Sequence, residues 1–197
     1  MTTQPDIFTN VHPGIRAALF EACSAAGRAC GASPELEAAR AMARDALHFV
    51  AHHGENEDLL ILPLLRERAP MIFDRIACAH ERTESALLGL SAKLDTVPAT
   101  ELYHALCDFT ALYLRHLQEE ELELEPAIRA AISNEELASF GRRAVERTAP
   151  ADQRTMLSWI MTAVTSHEAE ALLARVPETL ATELRARRKQ FGMESER

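Results

Sequence analysis

The stretch His53-Gly54-Glu55-Asn56-Glu57-Asp58-Leu59-Leu60-Ile61-Leu62-Pro63 recurs in its spacing 63 residues later, as His116-Leu117-Gln118-Glu119-Glu120-Glu121-Leu122-Glu123-Leu124-Glu125-Pro126. Each copy reads His-x3-Glu-x5-Pro. The match continues outside these positions: Leu59 and Leu122 agree, as do Arg66 and Arg129, and Asp58/Glu121 and Leu65/Ile128 pair conservatively. In a helix, residues four apart share a face and lie ~6 Å apart along the axis, so each His and Glu can grip one metal ion together. Two such pairs facing each other can hold two ions. The proline lacks the N–H that would bond the carbonyl four residues back, Leu59 in one copy and Leu122 in the other, so a kink is predicted in each helix.

The remaining sequence supports an all-α reading. Alanine, leucine, glutamate and arginine dominate, aromatic residues make up only 5%, and no run alternates apolar and polar for long, so no strand candidate emerges. A chain of 197 residues is long enough for one domain with a substantial core. Its formal charge of −9 argues against nucleic acid as a partner, since phosphate binding needs a basic face. The basic cluster Arg185, Arg187, Arg188 and Lys189 reads as the solvated C-terminal end of a last helix. No apolar run approaches the ~20 residues of a membrane helix, and MTTQPDIFTN has neither the charge nor the apolar stretch of a secretory signal. Cys23, Cys30, Cys78 and Cys107 show no CxxC or zinc spacing. They are expected as reduced, buried small hydrophobes in a cytoplasmic protein.

Periodicity places a first helix over 11–31, with Ile15, Ala18, Leu19, Ala22 and Cys23 on its apolar face. Ser33-Pro34-Glu35 starts a second, which runs past His53 and Glu57 to Pro70. A third, over 71–95, carries His80 and Glu84. After the turn 95–98 a fourth runs over 99–132 with His116 and Glu120. Four long helices with short connections predict an up-down-up-down antiparallel four-helix bundle over 11–132. That topology brings His12 and His80, on the single-histidine helices, near the two pairs. A C-terminal helical extension, 133–192, begins at the capping box Ser133-Asn134-Glu135-Glu136. Trp159, Met156, Leu157, Ile160, Leu172 and Leu173 are expected to pack it on the bundle or on a second copy, as in a homodimer.

Four imidazoles with carboxylates and no thiolate suit iron or manganese in an octahedral, bridged pair better than structural zinc. The Glu-x-x-His motif of ferritin-type bundles occurs once, at Glu101/His104, and the HExxH zinc motif fails because His80-Glu81-Arg82-Thr83-Glu84 ends in Glu. His52 points about 100° away from His53, and His48 is a weaker candidate for the margin of the site. His104 lies ~18 Å from His116 along the helix, and His167 has no partner; both read as structural.

These residues resemble the hemerythrin-like (HHE cation-binding) family, four-helix bundles around a non-haem di-iron centre. The resemblance covers roughly 11–132 and rests on the twice-present HxxxE-x5-P signature. It implies that His12, His53 and a bridging Glu57 bind one iron, and that His80, His116 and a bridging Glu120 bind the other, with an oxo or hydroxo bridge between two iron ions. Oxygen-carrying relatives have HxxxH on the third helix, where this chain has His80-x3-Glu84. An added carboxylate ligand at Glu84 favours ferric iron, so the expectation is reaction with a small ligand (O2, NO or peroxide) in sensing, scavenging or stress response, not reversible oxygen carriage. With Glu84 counted, one coordination position is left open for that ligand. Two alternatives stay open: a di-iron oxidase or peroxidase with a substrate of its own, and an iron-responsive interaction module. Whether the protein is an enzyme is not fixed by the sequence.

Overall fold

The computed structural model describes residues 8, 10–29, 31 and 33–191, without the side chains of 123 and 124. Four long helices form the body: α1 (Val11–Arg28), α2 (Pro34–Leu60), α4 (Pro70–Lys93) and α5 (Ala99–Glu119). Short α3 (Leu62–Arg68) continues α2, and α6 (Glu125–Ala131) continues α5. The start of α2 follows its sequence: Ser33 Oγ accepts the Leu36 N–H at 3.2 Å, Pro34 needs no donor, and Glu35 and Glu37 sit in the positive first turn. α1 packs on α2 and α5, and α4 packs on the same two helices, which closes the ring of an antiparallel bundle. No strand occurs among the described residues, and no helix there is long and apolar enough to cross a membrane.

The repeated prolines do not give the uninterrupted kinked helices predicted over 34–69 and 99–132. At Pro63 the helix stops at Leu60 and restarts at Leu62, with the Ile61 N–H still bonded to the Glu57 carbonyl at 2.8 Å. Ahead of Pro126 the helix widens instead into a π-helical turn, Glu120–Leu124, closed by the Glu125 N–H on the Glu120 carbonyl. The cause is shared, a missing N–H six residues after the repeated glutamate, but the backbone solves it in two ways.

The core is divided. One apolar cluster fills the bundle with Ile15, Leu19, Phe49, Val50, Leu90, Leu106 and Leu117 around alanines that let the helices approach. Another, at the opposite end, gathers Phe8, Ile61, Leu65, Ile76, Ile128 and Ile132. Most of the metal-type residues fall between the two: His12 between Phe8 and Ile15, His53 and Glu57 between Val50 and Ile61, His80 between Ile76 and Leu90, and Glu120 between Leu117 and Ile128, while His116 borders the first cluster beside Leu117. At about 1.5–3 kcal/mol per large apolar side chain, these clusters can carry a polar layer between them.

The remaining helices are α7 (Asn134–Arg147), α8 (Pro150–Ile160), α9 (Ser166–Leu173) and α10 (Glu178–Gln190). α7 reaches α2 through Arg147 Nε on Asn56 Oδ1 (3.2 Å) and Thr148 Oγ1 against His52 Nε2 (2.7 Å). Met156 and Trp159 of α8 join the bundle core, and Gly14 of α1 lets α8 in: a Cβ there would lie 2.7 Å from Ile160 Cγ1. Leu173 lies in a small separate cluster with Met161 and Leu184, and Leu157 and Leu172 pack at its edge. The basic cluster is less solvated than expected. Arg188 is buried and donates to the Met161 and Val164 carbonyls, while Arg187 stacks 4.8 Å over the Trp159 ring.

The cysteines divide as well. Cys23 and Cys107 are half-buried, Cys30 lies outside the described residues, and Cys78 is exposed, contrary to expectation. The inward face of α4 runs through Ile76, Ala79 and Thr83, and Cys78 is turned away from it.

Candidate metal centre

The side chains His12, His53, Glu57, His80, His116 and Glu120 meet in the middle of the bundle, and all six are buried. They form two overlapping groups of potential ligand atoms: His12, His53, Glu57 and Glu120, and Glu57, His80, His116 and Glu120. Within each group the offered atoms lie within 4.8 Å of one another. Glu57 and Glu120 belong to both. Glu57 Oε2 is 3.6 Å from His53 Nε2 and 3.4 Å from His80 Nε2. Glu120 holds Oε1 at 3.4 Å from His116 Nε2 and 3.5 Å from His80 Nε2, and Oε2 at 3.5 Å from His12 Nε2. The His12 and His53 rings meet edge-on with centroids 4.9 Å apart, and His80 and His116 repeat the arrangement at 5.2 Å.

An outer pair of carboxylates sets the single histidines. Asp58 Oδ1 lies 2.6 Å from His80 Nδ1, and Glu121 Oε1 lies 2.8 Å from His12 Nδ1. Each is the residue directly after a central glutamate, and each reaches across to the neighbouring single-histidine helix. A neutral ring that keeps its proton on Nδ1 turns the Nε2 lone pair toward the centre, which is how a histidine is prepared for a metal; at His80 the carboxylates around it also favour a second proton, which an arriving cation would displace. Arg16 holds Glu121 in turn with a two-point contact of 2.7 and 2.9 Å. In the sequence Asp58 and Glu121 stand out only as a conservatively matched pair of the repeat, and those matched places were the available signal. Phe8 stacks on the far side of His12 at 4.3 Å.

The electrostatics of this layer call for positive charge. Burial pushes His53 down to about 4 and His116 to about 3, so both are neutral, metal-ready imidazoles at pH 7. Glu120 is pushed up to about 8, by burial first and then by the charge of Glu57. His80 goes the other way, to about 12: burial lowers it, but contacts with Asp58, Glu120 and Glu57 prevail. Glu57 Oε2, Glu120 Oε2 and His80 Nε2 are buried without a hydrogen-bond partner, all within this layer. Unpartnered buried carboxylate oxygens cost free energy, and cations between them would remove that cost. The donor set, imidazole nitrogen and carboxylate oxygen with no sulfur, fits such ions.

Glu84 stands apart. It is exposed and belongs to neither group. The buried face of α4 centres on the Thr83 side of His80, so a residue four after His80 rotates off its edge. Glu84 instead lines two openings. One is a cavity of about 160 Å³ between α2 and α4, walled by Val50, Leu87, Leu88 and Tyr113 and reaching His80 and His116. The other is an outer cleft of about 730 Å³ with charged walls from Arg66, Asp74 and Glu81. Tyr113 is buried, its ring 5.3 Å from that of His116, and burial raises its hydroxyl well above its ordinary value. His48 pairs with Asp152 at 3.1 Å and His52 with Thr148, both outside the centre; His104 and His167 are exposed.

A family model described as the hemerythrin HHE cation binding domain matches residues 3–129, most of the chain up to the end of α6. No curated protein and no solved structure matches the chain significantly.

Proposed function

Because the chain belongs to the hemerythrin HHE cation-binding domain family, we propose that its bundle holds two non-haem iron ions and serves to bind or react with a small oxidant such as O2, NO or peroxide, in sensing or scavenging. The observation that carries this reading is the sharing of Glu57 and Glu120 by two groups of ligand atoms. His12 and His53 would hold one ion, His80 and His116 the other, and the two carboxylates both. An iron pair supplies a centre that can ligate a small molecule and change oxidation state. Manganese fits the same donors.

The protein's own part is positioning and exclusion. Asp58 and Glu121 fix the ring orientation of His80 and His12. Val50, Leu87, Leu88 and Tyr113 give the approach an apolar wall, with the carboxylates of Glu55, Asp58 and Glu84 around it. The small size of the inner cavity supports this reading over an oxidase acting on an organic substrate, for which the outer cleft of about 730 Å³ beside His80 is the counter-candidate. Substrate pockets run to ~300–1,000 Å³, and the cavity reaching His116 has about 160 Å³. That volume is enough for a diatomic or a peroxide. Glu84 enters as a carboxylate at the mouth of that cavity.

Anaerobic purification from iron-replete cells, metal counting, and absorption spectra before and after O2, NO and H2O2 test the reading. Two ions per chain and a spectral change with one of these molecules are expected. A folded protein without metal overturns it. Turnover of an organic substrate would move the protein to the oxidase class.

A further inference from the structure

Away from the metal centre, α1 and α5 bring two cysteines together. The helices run antiparallel, and their register is fixed at two points. Cys23 Sγ lies 3.3 Å from Thr110 Oγ1. Four residues further along α1, Gly27 meets the Tyr103 ring, which would lie 3.2 Å from a Cβ at that glycine. On α5, Tyr103, Cys107 and Thr110 share one face, being four and three residues apart. Cys107 therefore sits on the α1-facing side between the two fixed points, within one helical turn of the level of Cys23. The Tyr103 ring packs into the space left by the missing side chain of Gly27, so the two helices meet directly one turn from the cysteines; a disulfide between them needs Cα atoms within ~4.4–6.8 Å. The nearness shows in the chemistry of both neighbours. Burial pushes the Cys23 thiol up, the Thr110 hydroxyl opposes this, and Cys107 adds to the rise; Cys107 also raises the Tyr103 hydroxyl.

We propose that Cys23 and Cys107 are a redox-active dithiol, oxidised by a hydroperoxide to an intramolecular disulfide that staples α1 to α5. The pair is half-buried beside exposed Tyr103, at the rim of the bundle, so a small oxidant reaches it without passing the metal layer. The Cys107 sulfur, as thiolate, attacks one peroxide oxygen; the O–O bond breaks, and the departing hydroxide takes up a proton and leaves as water. The Cys23 sulfur then attacks the sulfenic sulfur of Cys107, the S–S bond forms, and a second water leaves with the Cys23 proton. Two thiols and one hydrogen peroxide give one disulfide and two waters. Cys23, packed against Thr110, takes the second step. The site is independent of the metal reading and about 14 Å from His116 along α5.

The test uses the full-length, metal-loaded protein. It is treated with stoichiometric H2O2 or with diamide, which oxidises thiols directly, and mapped by non-reducing peptide mass spectrometry. A Cys23–Cys107 linked peptide is expected with both reagents, together with loss of two hydrogen atoms per chain and reversal by dithiothreitol. In Cys23→Ser, dimedone should label Cys107 after peroxide; in Cys107→Ser, neither the bond nor a label on Cys23 should appear. Wild-type mapping stands even if a variant fails to fold. Oxidation confined to Cys78, or a bond formed with diamide but not with peroxide, overturns the proposal.

Discussion

Asp58 and Glu121 do the same work at two places: each holds the outer nitrogen of a histidine that has no glutamate on its own helix facing the centre. Outer partners of this kind typically carry a 10–100-fold share of metal affinity. Asp58→Asn should therefore weaken the site containing His80 by about 10–100-fold and spare the other, and Glu121→Gln should do the reverse. Competition with a chelator of known affinity, read for each ion, distinguishes the two; equal loss at both sites would refute the pairing. Glu84→Ala should leave the metal count unchanged, since Glu84 is exposed and outside both ligand groups. A drop in bound metal would return it to the ligands. The residues of the centre were legible to different depths. His53, Glu57, His116 and Glu120 follow from a repeat along the chain, and His12 and His80 need only the topology. The task of Asp58 and Glu121 was hidden because helical spacing shows which face a residue takes, not which neighbouring helix it touches. Glu84 marks the opposite limit: i+4 spacing from His80 does not say where the centre of the buried face lies, and the side chain stands exposed at the cavity that reaches His80.

Among the elements, the bundle helices were readable from apolar periodicity and caps, while the breaks in α2 and α5 were readable only as positions. A proline states that one hydrogen bond is lost. Whether the chain responds by restarting, as at Ile61, or by widening, as at Glu120–Leu124, depends on packing that no local pattern records. The entry to α7 was fully legible. Ser133 Oγ accepts the Glu136 N–H at 3.2 Å and Glu136 returns the bond to Ser133, while Arg68 of α3 clasps Glu136 at 2.8 Å through both nitrogens. Ser133→Ala should cost about 1 kcal/mol, read as a shift in the urea midpoint. Glu136 also carries a pH signature. Arg68 first, then Ser133, lower its carboxyl to about 2, against ~4.3 for an unfolded glutamate. A lowered pKa stabilises the fold above the unfolded value and ceases to do so as pH falls through the folded one. The stability gap between wild type and Glu136→Gln should thus be constant from pH 7 to about 5 and close between roughly pH 4 and 2. Urea titrations across that range check it; a gap that widens on acidification contradicts the pairing.

At the scale of the whole molecule, a polar layer of four histidines and two carboxylates is clamped between two apolar clusters, with α8 pressed against α1 at Gly14, two residues from His12. Such a layer opposes folding while its carboxylate oxygens lack partners, and favours folding once cations join them. Stability should therefore depend on metal more than on any one apolar contact. An ion present at ~100 times its dissociation constant adds about 2.7 kcal/mol, and in a chain of this size each kcal/mol moves Tm by roughly 2–4 °C. Stripping the protein with a chelator should then lower Tm by about 5–10 °C for each site emptied, and ferrous iron added anaerobically should restore it. His53→Ala should remove part of that metal-dependent shift and His116→Ala another part, because each leaves one of the two groups short of a ligand. His104→Ala, on the same helix as His116 but exposed and outside both groups, should leave the shift whole. Differential scanning calorimetry of the stripped and reloaded proteins reads all of this directly. A Tm that ignores iron, or a His104→Ala variant that loses the shift as His116→Ala does, would show that the polar layer is held together by something other than the ions it is arranged to receive.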